Sequence, residues 1–390
     1  MQEQGHNTDR EDPKPKFEVS CNELFDSMRW LVTAMKCFGM IHFDNSSAGE
    51  KLYSRWSFSK IYQLVVMILF ALNQIRLVPT LVSPNRISPQ FLAEVLAFSW
   101  MLMTLAFSVA MFKVCNNRNV FIATLISWKN FNPQPSPEKI VYFTKKCRRY
   151  VAFVMLSFPV NIGVVIGGLI SSPSFDFVLV PLSPDNEFIN LARCAYVVLH
   201  IYLAGYYTMT IVLTLLLADI SHYELKQFNA QFRRCITEDG NFIADFEERR
   251  RQHHRICVFI GKADATVSLS VGFSFVLNLL QILVGLYVFM AMSDIKDDVF
   301  MIILASAWIV GAVFTLGLMM VFCAYVNLEI SVLLSRLTGS SIGFTACSMF
   351  VIDKSIFLTE RRRHPFGVFG MVQRERHFYS HLVISVITFM

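Results

Sequence analysis

Val299 to Val326 reads VFMIILASAWIVGAVFTLGLMMVFCAYV, a run without a single Asp, Glu, Lys or Arg. A soluble amphipathic helix keeps a polar stripe at 3.6-residue spacing, whereas this stretch is apolar all round. Crossing the roughly 30 Å of bilayer hydrocarbon takes about 20 such residues, because a helix must satisfy its backbone N–H and C=O groups within itself. The stretch is therefore a membrane span. Measured the same way, Ile61 to Leu81, Phe91 to Lys113, Tyr150 to Ile170, Ala192 to Leu217 and Ala265 to Ala291 are spans too. Composition agrees: 54% of residues are hydrophobic, 16% are charged and Phe alone numbers 36, more apolar surface than a water-soluble domain buries. The fold class expected is all-α, a polytopic membrane helical bundle.

Lys and Arg fix the expected orientation. They crowd the first 60 residues (Lys14, Lys16, Arg29, Lys36, Lys51, Arg55, Lys60), the gap after the second span (Lys139, Lys145, Lys146, Arg148, Arg149) and the gap after the fourth (Arg233, Arg234, Arg249, Arg250, Arg251, Arg255, Lys262). The alternate gaps are nearly bare: Ser171 to Leu191 has no Lys or Arg, and Val82 to Gln90 has only Arg86. By the positive-inside rule the amino terminus is cytoplasmic. Residues 1–60 form a polar cytoplasmic segment with no apolar core or small-residue cleavage site of a signal peptide. No cysteine falls in an outer gap, so no disulfide framework is expected, and no Cys or His cluster has metal-ligand spacing.

The basic gaps differ in kind. NPQPSP, Asn132 to Pro137, reads as loop. Farther on, YELKQFNAQFRRCI places Leu225, Phe228, Phe232 and Ile236 on one apolar stripe of a charged helix. That stripe suits either a helix on the inner leaflet or fourth and fifth spans that continue below the membrane and pack together, a helical cytoplasmic stretch over residues 219–264.

RICVFIGKADATVSLSVGFSFVLNLLQILVGLYVFM, Arg255 to Met290, resembles the fifth-span region of the invertebrate (arthropod) gustatory receptor family, relatives of insect odorant receptors. LLSRLTGSSIGFTACSMFVIDKSIFLT, Leu333 to Thr359, is similar to that family's segment before its last helix, through Gly343, Phe344, Phe350, Ile352 and Asp353. The resemblance implies a seven-span topology with the amino terminus inside and a homo- or hetero-tetrameric, ligand-gated, non-selective cation channel in the plasma membrane of chemosensory neurons. Its ligand would be a small-molecule tastant, and its surroundings membrane lipid rather than nucleic acid. It further implies that Ser341 to Leu358 is a cytoplasmic helix holding subunits together, with those five residues as oligomer anchor over residues 327–359. The family's pore helix carries a TY, five apolar residues, QF pattern, and this sequence has none. After Thr359 comes ERRRHPFGVFGMVQRERHFYSHLVISVITFM, in which the arginines each cost several kcal/mol at mid-bilayer. Residues 360–390 are thus an atypical last span, and a non-conducting isoform or modulatory subunit is the alternative reading.

Ligand recognition is expected in the outer halves of spans 61–326. Candidate residues there are Glu94, Asn161, Arg193, Tyr196, His200, Tyr207, Gln281 and Trp308, with Trp100 nearby. Arg193, Tyr196, His200 and Tyr207 fall at offsets that stack them on one helical face, suited to an aromatic pocket with a few polar handles. Interfacial aromatic belts give the same pattern, and Glu94 and Arg193 lie near enough to the boundary to reach headgroups. A G-protein-coupled receptor would need an extracellular amino terminus, and its DRY-like motif should end the third span, whereas CRRY at Cys147 to Tyr150 precedes it. No phosphate loop, nucleophile elbow or zinc motif marks an enzyme, and nothing calls for a cofactor.

Overall fold

The apolar runs form long helices in the computed structural model. Its described residues are 23–41, 58–82, 89–116, 120–171, 178–179, 187–235, 243, 245–291, 299–337, 345–346 and 350–351. The chain divides into Met1–Ile352 and Asp353–Met390, and every described residue belongs to the first unit. Its helices are α1 (Glu23–Ser27), α2 (Arg29–Cys37), α3 (Phe58–Val82), α4 (Pro89–Asn116), α5 (Val120–Phe131), α6 (Pro137–Ser171), α7 (Ile189–Arg234), α8 (Phe246–Ala291) and α9 (Val299–Leu337). Six of them, α3, α4, α6, α7, α8 and α9, are long and apolar enough to cross a membrane. This is a polytopic helical membrane fold.

Lipid-type surface lies outside the bundle. Ile68, Leu69, Leu72 and Ile75 of α3, Leu156 and Val160 of α6, and Val276, Leu279, Leu283 and Leu286 of α8 are exposed, which water would penalise and hydrocarbon does not. Helix α7 is the hub instead, with Leu213, Leu216, Leu217, Ala218 and Ile220 all fully buried. Around it α6 runs antiparallel, shown by Asn161 against His200 and Lys139 against Glu224, while α4 and α9 run parallel, shown by Trp100 and Phe107 meeting His200 and Tyr207 and by Thr315 and Glu329 meeting Tyr207 and Asn229.

Both α7 and α8 continue well past the expected ends of their apolar spans and meet beyond them, where Phe228 of α7 faces His253 of α8 at 5.6 Å between ring centroids. Leu225 and Phe228 of the apolar stripe are buried and Phe232 is half-buried. Glu247 in the first turn of α8 accepts hydrogen bonds from Arg250 and Arg251, which hold its carboxyl down at about 2. Ionised there, it complements the amino-terminal end of the helix dipole.

Among the described residues, five elements lie outside the expected spans: α1, α2, α5 and two short strands. Helices α1 and α2 lie in what reads as a polar tail, yet Leu24, Met28, Leu31 and Met35 are buried to 1% exposure or less, one apolar stripe at helical spacing. Helix α5, too short to cross, buries Phe121, Leu125 and Trp128 and lies against α8. Within Ser341 to Leu358, where the resemblance implies a helix, the described residues Thr345–Ala346 (β1) and Phe350–Val351 (β2) pair as antiparallel strands, Thr345 opposite Val351 and Ala346 opposite Phe350. β-branched and aromatic residues at three of those positions favour an extended pair. Gly343, Phe344, Ile352 and Asp353 lie outside the described residues, as do residues 1–22 and 360–390.

Candidate functional site

Polar side chains inside an apolar bundle mark the place to look, because each costs free energy there unless partnered. Towards the Ile189 end of α7 such groups gather around a small cavity. Ala97, Trp100 and Met101 of α4, Asn161, Val164 and Val165 of α6, Tyr196 and His200 of α7, Trp308 of α9, and Val178 from the connection between α6 and α7 line it. Its free space is about 20 Å³. One water needs about 10–15 Å³ by that measure, so the cavity has room for about one water.

His200 is the centre of the arrangement. Its Nε2 lies 2.6 Å from the Asn161 side-chain carbonyl oxygen, which accepts, so Nε2 donates. The imidazole stacks on the Trp100 indole with centroids 5.1 Å apart and planes at 29°. Tyr196, one helical turn away, sets its ring 6.1 Å from the same imidazole. His200 is 6% exposed and its Nδ1 has no hydrogen-bond partner among the described residues. Below it Tyr207 stacks on Phe107 at 6.0 Å, sits 6.2 Å from Trp100, and meets the Thr315 hydroxyl at 3.0 Å, which ties the cavity floor to α9.

Of the residues expected from sequence, Asn161, Tyr196, His200 and Trp308 line one cavity and Tyr207 borders it. Arg193 is half-buried at the start of α7, Glu94 is half-buried on α4, and Gln281 is buried on α8 with no partner for its Nε2 among the described residues; none of these three lines the cavity. Arg76 was missed. Although within the first span, its guanidinium donates to the Asn73 side chain at 2.8 Å and to the Val178 carbonyl, fixing the residue that closes one side of the cavity. A lone Arg between Ile75 and Leu77 was the available signal, since a cation in a span needs a partner.

No family model and no curated protein matches the chain. Among solved structures one match is an insect olfactory receptor, OR5 from Machilis hrabei, in complex with eugenol. It matches with a TM-score of 0.63 and 14% sequence identity, covering 86% of this chain and 94% of that one. The two chains share a fold. Sequence resemblance pointed to gustatory receptors and the shared fold is that of an olfactory one, so the fold agrees at the level of the helical membrane bundle.

A second polar cluster sits at the other end of α7. Glu224 accepts from the Trp128 indole at 2.9 Å, from the Asn132 amide at 3.2 Å and from Lys139 at 2.9 Å, joining α5, α6 and α7. Among the described residues no three His, Cys, Asp or Glu side chains converge as metal ligands would.

Proposed function

We propose that this chain is a chemosensory receptor subunit that recognises a small molecule in the cavity around His200 and, assembled as a tetramer with copies or related receptors, gates a cation current across the plasma membrane. One observation carries the reading: a buried imidazole, held by Asn161 and stacked on Trp100, in a helical bundle that shares its fold with a ligand-bound olfactory receptor. The basic ends of α6, α7 and α8 mark the cytoplasmic face, so the His200 cavity lies in the outer half, about 16 Å along α7 from its Ile189 end. A cytoplasmic amino terminus, supported by the same charges, disfavours a G-protein-coupled receptor. The gustatory assignment rests on the resemblance of Arg255 to Met290.

A cavity of some 150 Å³ holds benzene, so a ring-bearing ligand must widen this one by moving Trp100 or Trp308. The test is whole-cell recording from cells expressing the chain, alone and with a full-length relative, against a panel of small tastants and odorants. His200→Ala should shift the dose response to higher concentration at unchanged surface expression. An unchanged dose response contradicts the reading.

A further inference from the structure

The geometry points to a ligand that donates a hydrogen bond: we propose that His200 Nδ1 is a preformed acceptor, and that the cavity selects small aromatic molecules bearing a hydroxyl over their alkylated ethers. The inference rests on reading the cavity as the ligand site.

Three observations lead to it. Asn161 offers its carbonyl oxygen to Nε2 at 2.6 Å, which places the imidazole proton on that nitrogen. In neutral imidazole the other nitrogen then carries a lone pair and no proton. That nitrogen, Nδ1, is buried and meets no donor among the described residues. A buried acceptor left open costs as much as a lost hydrogen bond, and a water or a ligand hydroxyl removes that cost. The rest of the wall, with Trp100, Tyr196, Trp308, Val164 and Val165, is mostly ring and methyl surface with the Tyr196 hydroxyl and two indole N–H groups as its uncharged polar atoms, which suits an aromatic body and gives a carboxylate no cationic partner. Arg76 is committed to Asn73 and Val178. The recognised molecule is therefore uncharged, flat and tipped with an O–H.

Sites built around a hydrogen bond to a substrate hydroxyl reject the analogue lacking it far more strongly than apolar pockets reject a size change. The experiment compares 4-ethylphenol with 4-ethylanisole on the purified full chain in lipid nanodiscs, reading apparent affinity from the ligand dependence of the melting temperature. The wild-type chain should bind the phenol at least about tenfold more tightly. His200→Phe should keep the ether affinity and reduce the ratio to about one. Asn161→Leu, which frees the proton to sit on either nitrogen, should shrink the ratio while leaving both ligands bound, and it serves if His200→Phe does not fold.

Equal affinities in the wild-type chain, both weakened by Trp100→Ala, overturn the donor preference and leave the ligand site standing. A preference that survives both His200→Phe and Asn161→Leu also overturns it. Binding of neither probe, or binding indifferent to Trp100→Ala, removes the ligand site and this inference with it.

Discussion

Lys139 and Glu224 form an ion pair at 2.9 Å, with side chains 7% and 1% exposed, joining the start of α6 to the continuation of α7. Coulomb attraction at that burial is strong but so is desolvation, and the balance depends on both partners being present. Lys139→Ala should destabilise the chain by about 3–5 kcal/mol, because the carboxylate is then left buried without its counter-charge, held only by Trp128 and Asn132. Lys139→Met with Glu224→Leu should cost less than either single change. Thermal melts of the four chains in detergent check this; additive losses would show the pair to be uncoupled.

Gly205 sets the approach of α2 to α7. A Cβ at that position would come within 2.3 Å of the Phe38 ring, which is itself held between Phe158 at 5.9 Å and Tyr202 at 6.2 Å. Alanine gains about 1 kcal/mol of helix propensity over glycine, but displacing a boxed ring costs about 1–3 kcal/mol. Gly205→Ala should therefore lower or at best preserve the melting temperature, and Phe38→Leu in the same chain should recover part of any loss. Stabilisation by Gly205→Ala alone would mean that α2 does not seat there.

Tyr207 and Thr315 link α7 to α9 beneath the cavity through hydroxyls 3.0 Å apart. Thr315→Val removes the partner of the half-buried Tyr207 phenol and should cost about 1–3 kcal/mol. Adding Tyr207→Phe removes the orphaned group and should restore most of that stability. A double-mutant cycle by thermal melting measures the coupling, expected to exceed about 0.5 kcal/mol.

How far the sequence disclosed all this depends on what each feature needs. Spans such as Val299 to Val326 are legible because membrane insertion is written in one dimension, as length and polarity. The face shared by Tyr196, His200 and Tyr207 is legible too, since spacing along one helix fixes it. What meets that face is not. Trp100 stacking on His200 and Arg76 reaching Val178 depend on how separate helices dock, and no local period carries that. Arg193 shares the spacing but sits at the helix start, where half-exposure lets it serve the boundary. The stripe Leu24, Met28, Leu31, Met35 was present in the letters and hidden by its short length and polar flanks. The pairing of Thr345–Ala346 with Phe350–Val351 is also a contact between separate stretches that no local period carries.

Small-molecule recognition at His200 is tested most directly by a cryo-electron-microscopy map of the full chain in nanodiscs with saturating 4-ethylphenol. Density enclosed by Trp100, Asn161, His200 and Trp308 is expected, with the Trp100–His200 stack opened beyond its 5.1 Å spacing. An empty cavity with that stack unchanged, in a map that shows the probe bound elsewhere, would contradict it.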